Sequence, residues 1–546
     1  MKRFARIFLT AAFLGALSWA SFAHAASFVV TRFDDPAPDG CNSGVDCSLR
    51  EAVIAANAAG GTNDVQLGTG TYNLTIAENG GETGGSLDID NSLTIQGQGA
   101  EATIINGVQP GLNSRIIEAF DGGLTIVLDG LTVQNGDSNG GVGGGILAAS
   151  TSQTLTLSNC RVTNNIGGNG GGLYSNAQTL IQNCRFDLNR VESDTDGGGV
   201  YFGSSVGLVV ENSTFDNNEL PENGQGAGLF FENGSSLSIS GSRFEANKLT
   251  SNGTGAGLHC TGNDPVTISN TVFTGNSIEG GGGAGAGLKC DPSTLLLDGV
   301  TFSQNTTDGG EYPAMYINGG TTTSILNSLI EDNRITAGTG RFPAGLLTTS
   351  SVSIENSTIR DNVNEGSGDG GGMWVVGSLT VVGSTFSGNQ TNGNAGALLL
   401  TAAAINISNS TFSGNEAVSD GGAIHINTGN GTFNNVTISG NTATGLGGGV
   451  FFDNFVTFTI RNSLLSGNEG DSSPDCSAPV VVFPITCFGR ASSTRCSFEV
   501  RSKSASIAMW MPGKMQPPMY SPLRETQSNV VAVPKSTAIT GPPKNS

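Results

Sequence analysis

Thirteen times between Val133 and Leu465 the chain repeats a tetrapeptide that opens on Asn or Gly and closes on a large apolar residue. The closing residues are Val133, Val162, Phe186, Phe215, Phe244, Phe273, Phe302, Ile330, Ile359, Phe386, Phe412, Ile438 and Leu465, spaced 24–29 residues apart. From Val162 onward an asparagine stands three residues after each one, from Asn165 to Asn468. A unit this short cannot bury its apolar residues alone. Its neighbours must stack on it, and the chain becomes quasi-one-dimensional.

The residues between these marks say what each unit contains. Leu173-Tyr174-Ser175 and Val200-Tyr201-Phe202 follow Gly clusters, while Leu237-Ser238-Ile239 and Val352-Ser353-Ile354 precede the apolar mark. Runs of three to five residues with period two, bounded by Gly, Asn, Asp and Ser, are strands and turns. The helical and Leu-x-x-Leu-x-Leu patterns of other repeat classes are missing. The reading is an all-β parallel β-helix over residues 65–470, with three short strands and about 28 residues per coil. Stacking at about 4.8 Å then places like over like, Phe on Phe inside and Asn on Asn at a bend. The predicted buried ladder comprises Asn189, Asn218, Asn247, Asn276, Asn305, Asn333, Asn362, Asn389, Asn415 and Asn441.

Composition removes several alternatives. The 83 glycines follow no every-third-residue period, which excludes collagen, and 37% hydrophobic residues argue against low-complexity disorder. A net charge of −21 makes a nucleic-acid partner untenable, since little would neutralise phosphates.

The ends differ from the middle. Lys2, Arg3 and Arg6, an apolar stretch from Ile7 to Trp19, and Ala23-His24-Ala25 read as a signal peptide over residues 1–25. An N-terminal cap spans 26–64. Within it Ser48 and Glu51 form a capping box for the one convincing helix, which runs to about Asn57 with Leu49, Ala52, Val53 and Ala56 on its apolar face. Arg50 and Glu51 read as part of this plug and not as a catalytic pair. Residues 471–546 form an atypical tail: from 490 onward there are eight basic and two acidic residues, which fits a disordered terminus or a shifted reading frame. No transmembrane segment is expected in the mature chain.

Cys47-Ser48-Leu49-Arg50-Glu51-Ala52, following Phe28-Val29-Val30-Thr31, resembles the N-terminal module of exported bacterial CSLREA-domain proteins. Gly421-Gly422-Ala423-Ile424 and Phe412-Ser413-Gly414-Asn415 are similar to the GGAI and FxxN repeats of chlamydial polymorphic outer-membrane proteins. Together the resemblances cover residues 28 to about 470. They imply a right-handed parallel β-helix, secreted or on the bacterial cell outer membrane, often adhesive. The chain departs from the second group after Asn468, where no alternating ten-residue barrel strands follow.

Function is less legible than fold. Under strict alternation the residue two places after each Gly cluster points outward, giving a column of Leu147, Tyr174, Tyr201, Phe230, His259, Lys289, Tyr316, Leu347, Trp374, Leu399, His425 and Phe451. Tyr174, Tyr201, Phe230, His259, Tyr316 and Trp374 are the candidate ligand-binding residues. Rings one rung apart can stack on sugars or anchor a surface protein, so an adhesin is the first reading. The bland alternative is that they shield the sheet or lie under a loop. The second functional reading is a polysaccharide lyase or hydrolase, which needs paired carboxylates, or Ca²⁺-binding acids beside an arginine, on one exposed sheet. Asp194, Asp196, Asp308, Asp369 and Asp420 fall in loops, where they either bind Ca²⁺ or accept backbone hydrogen bonds. No catalytic motif is recognised, and a purely structural spacer is the third reading. No other cofactor or metal is expected. Cys41 and Cys47 flank a short loop and are expected to pair; Cys260–Cys290 and Cys160–Cys184 fall on successive coils, as disulfides or buried thiols.

Overall fold

The computed structural model describes residues 25–478, apart from 109–111, 113, 204, 263, 309–313, 320–321, 337–341, 454–455 and 472, and also two short strands at 496–498 and 530–531. Nearly all of the predicted signal peptide and most of the tail lie outside these residues.

The chain winds as a parallel β-helix. Three strands recur in each coil, for example Leu229–Glu232, Ser236–Ser240 and Arg243–Glu245, and each pairs in parallel with its counterpart one coil on. A fourth, two- to three-residue strand, not anticipated from the repeat, begins at Ile166–Gly167 and recurs to Thr442–Ala443 in an 11-stranded sheet. It was invisible to periodicity because two residues are too few to show alternation.

The core is a set of columns. Phe186, Phe215, Phe244, Phe273 and Phe302 stack with centroids 4.7–5.2 Å apart and planes within 6°. At the bend that follows, each buried asparagine from Asn165 to Asn441 donates from Nδ2 to the Oδ1 of the next, at 2.8–3.1 Å. That same Oδ1 accepts the preceding coil's backbone N–H, as Asn276 does for Asn247 at 3.1 Å. The amide row ends on a carboxylate, since Asn468 donates to Asp475 Oδ1 at 3.0 Å.

A second ladder begins each third strand. Ser213, Ser242, Thr271, Ser328, Ser357, Ser384, Ser410 and Ser463 each accept a backbone N–H from the coil before. The residue before them has positive φ and is Asn, as in Asn212-Ser213-Thr214, or Gly, as at Gly241 and Gly383. The many Asn-x-Ser/Thr triplets are thus a bend followed by a buried hydroxyl. Cys160 and Cys184 occupy this ladder as buried thiols, with Cys160 N–H donating to Cys184 Sγ at 3.4 Å. Cys41–Cys47 and Cys260–Cys290 are disulfides.

The helix Leu49–Ala59 plugs the first coil, with both halves of the Ser48/Glu51 capping box formed. Arg50 is 1% exposed. It bonds Asp35 through two nitrogens at 2.9 and 3.0 Å and donates to the carbonyls of Gly85 and Ser86 at 2.8 Å. The plug therefore fixes the segment that leads into Asp88. No helix among the described residues is long and apolar enough to cross a membrane.

Candidate functional site

The predicted outward column exists, but strict alternation misjudges its exposure. Tyr174 and Tyr201 stack at 4.9 Å, Tyr201 meets Phe230 at 5.1 Å, and Phe230 meets His259 edge-on at 5.3 Å. Yet Tyr201, Phe230 and His259 are only 3–7% exposed. The cause is the positive-φ turn that opens these coils, made by Gly197, Gly226 and Gly255. Gly197, with φ 70°, folds the incoming chain back so that a side chain there would lie 2.8 Å from Tyr201 Cβ; Gly255 does the same over His259 at 2.7 Å. The next cluster residue is pressed between backbones, and a Cβ on Gly371 would sit 2.7 Å from both N and O of Gln390. This return and the fourth strand make a lateral lobe with its own small core of Val191, Leu220, Ala227, Leu249, Ala256, Ile278 and Ala286.

Polar members of the covered column are engaged locally. Tyr201 donates to Glu232, and burial raises its phenol pKa. His259 Nδ1 lies 2.8 Å from Thr254 Oγ1, and burial, followed by Lys289, lowers its pKa to about 3. Tyr174, Tyr316 and Trp374 remain half-buried. Trp374 donates to Thr401 at 3.1 Å and lies 5.5 Å from Phe342. The column is therefore no continuous exposed platform.

The loop aspartates act as coil-to-coil acceptors. Asp194, Asp196, Asp369 and Asp420 each take a backbone N–H from the following coil at 2.6–2.9 Å, and Asp308 accepts from Thr336 Oγ1. Among the described residues no group of three or more His, Cys, Asp or Glu is placed to hold a metal ion.

Followed toward the N-terminus, the same column changes character. Leu147 pairs with Glu118, and Glu118 pairs with Asp88. Both carboxyls open into a cleft of about 480 Å³ lined also by Glu78, Ser114, Arg115 and Phe120. Arg115 ion-pairs with Glu118 and donates to Val142 O at 3.2 Å. Asp88 takes a hydrogen bond from Ser86 Oγ at 3.0 Å and forms no ion pair among the described residues. Burial, then the neighbouring Glu118, raises its pKa to about 7. Phe120, 59% exposed, stands on the rim.

Sequence reasoning missed this cleft because it began the column at Leu147, although Asp88 and Glu118 stand 30 residues apart, one coil. A second signal was Arg115 itself. In Ser114-Arg115-Ile116-Ile117-Glu118 it takes the place of Gly144 in Gly143-Gly144-Gly145-Ile146-Leu147. The regular fourth strand begins only at Ile166, so the space that later coils fill with backbone is open to a side chain here.

Residues 113–290 and 257–465 match a family model for the right-handed β-helix region, and the chain belongs to that family. Among solved structures, the A-module of Azotobacter vinelandii mannuronan C-5 epimerase AlgE4 is similar at 15% identity, covering 75% of this chain and 95% of that one, with TM-score 0.32. The AlgE6 A-module is similar at 14%, covering 80% and 98%, with TM-score 0.30. Among curated proteins none matches the chain.

Proposed function

We propose that this β-helix is an exported polysaccharide-cleaving protein whose chemistry is proton transfer in the Asp88–Glu118 cleft. The observation that supports it is a carboxyl pair one rung apart in unlike surroundings, one retaining its proton to about pH 7, the other against an arginine. Pairs whose surroundings separate their proton affinities divide the work of glycosidic cleavage. Asp88 is the acid that protonates the leaving oxygen, Glu118 the carboxylate that takes the proton of the water attacking the anomeric carbon, and Phe120 a surface on which a sugar ring rests. The signal sequence and the likeness of the N-terminal module to CSLREA-domain proteins support export to the bacterial surface or beyond it.

Release of reducing ends from a panel of neutral and charged polysaccharides tests this. Asp88→Asn is expected to lower turnover by about 10²-fold or more while leaving the fold intact. Full activity in Asp88→Asn, or no cleavage of any polymer by the wild type, overturns it.

A second reading, adhesion to glycan or surface protein, is supported by the three rings that stay half-buried: Tyr174, Tyr316 and Trp374. Glycan-array and pull-down binding unchanged after all three become Ser would remove it.

A further inference from the structure

The charges around the cleft narrow its substrate further, on the premise that the cleft is the working site. Glu78, Asp88 and Glu118 line it. Just outside, the pKa of Asp90 is raised by burial and then by the negative charges of Glu82, Asp121 and Glu118. Glu192 reaches the opposite rim, its carboxylate 3.5 Å from where a side chain on Gly140 would begin, beside the lining residue Asn139. The cation among the lining residues is Arg115, and its guanidinium is already engaged by Glu118 and the Val142 carbonyl. A carboxylate-bearing sugar entering here would meet acids with no free cation to receive it. With Asp88 holding its proton near pH 6 and Arg115 offsetting Glu118, the Glu78 carboxylate at the wall still favours a protonated amine over an acid group.

From this arrangement we propose that the cleft takes a cationic, amine-bearing polysaccharide and rejects polyuronates. The amine sits toward Glu78 and Asp90 while the ring rests on Phe120. Glu78 suits this role: its Oε1 accepts from Gly80 N–H and its Oε2 from Ser114 Oγ, so the carboxylate is held at the cleft wall. The whole chain carries a net charge of −21, which adds long-range attraction for a polycation and repulsion for a polyanion.

Isothermal titration of the full chain with three oligosaccharides of equal length tests the proposal: a glucosamine oligomer, an N-acetylglucosamine oligomer and an oligogalacturonate. Each is titrated at about pH 6, at low and high salt, with and without Ca²⁺. The expected order is glucosamine first, then the neutral oligomer, with no uronate binding in either Ca²⁺ condition. High salt and the double variant Glu78→Gln/Asp90→Asn should each weaken the glucosamine oligomer about tenfold. Uronate binding equal to or tighter than glucosamine, with or without Ca²⁺, overturns the proposal, as does no binding of any oligomer or an undiminished affinity in the double variant. Glucosamine bound but not cleaved would defeat the cleavage reading alone. Uronate bound and cleaved would defeat the charge selection alone.

Discussion

Asp88 and Glu118 stand in the same outward column as Tyr201 and Phe230, yet the first pair lines a cleft and the second is buried. The strands beneath them are alike, and the difference lies beside the helix. Coils such as those opening at Gly143, Gly197 and Gly255 enter through a small-residue turn whose backbone folds over the column and packs against the fourth strand. The coil that carries Glu118 enters through Ser114-Arg115-Ile116, with only an isolated bridge from Asp137 to Ile166 where later coils have a strand pair. The lobe decides where the sheet is open beside the helix. The core has no say in it.

The sharpest way to break this comparison is to give a lobed coil the arginine of the open one. Gly371→Arg would drive a side chain into the Gln390 backbone, and a loss of about 4 kcal/mol is expected in denaturant unfolding. Because neighbouring coils support one another locally, limited proteolysis should show new cleavage between Asn364 and Asp369 before global unfolding. A native proteolysis pattern would mean that backbone proximity is not what holds the lobe shut.

The two regions also differ in their amide rows. The Asn276 side chain makes four buried hydrogen bonds: two donated, to Phe244 O and Asn305, and two accepted from Asn247. Asn276→Leu strands those partners without water and should lose about 3 kcal/mol. Asn106, in the open coils, bonds Asn73 and Asn135 in a partly exposed row, where water replaces a lost partner. Asn106→Ala should therefore lose about 0.5–1 kcal/mol. Equal losses from equilibrium unfolding would erase the distinction between the rows.

These contrasts explain what the sequence could and could not show. The Phe and Asn columns were legible because a buried position admits few residue types, so the pattern survives every coil. The turn glycines were visible as well, but not their consequence. A glycine frees φ, yet which way the freed chain goes depends on the backbone it meets, and that contact lies a whole coil away. Hence Tyr201 and His259 read as outward, which they are, while the cover over them stood only as an alternative. Asp88 and Glu118 escaped because a carboxyl pair is made by register, and each residue alone looks like an ordinary strand-end acid. The Ser/Thr ladder escaped for another reason: its hydroxyls follow the Asn or Gly of a bend, where a polar residue looks like part of the turn.

Arg115→Gly asks for a smaller effect and isolates what the arginine does for the cleft. Its guanidinium is partly exposed, so losing the pair with Glu118 should change stability by no more than about 1 kcal/mol. Turnover should fall far more than stability, because Glu118 would lose the group that orients it. Activity retained in a folded Arg115→Gly protein would leave the arginine a structural role only.

The smallest effect is the pH dependence of Asp88, whose sign is fixed by its environment. The carboxyl has its ordinary value, near 3.8, in the unfolded chain and about 7 in the folded one. Between these values the folded state holds a proton that the unfolded state has lost, so stability declines as pH rises from about 4 through 7. Asp88→Asn carries no such proton. It should match the wild type near pH 4 and exceed it by about 1–3 °C in Tm near pH 8, a modest gain because the carboxyl is only half-buried. The same ionisation should switch off turnover on the alkaline side, with the limb near pH 7. A limb that persists in an active Asp88→Asn protein would assign the proton to another group, whereas a Tm gain with no alkaline limb would leave the carboxyl pair as strain in the open coil with no part in chemistry.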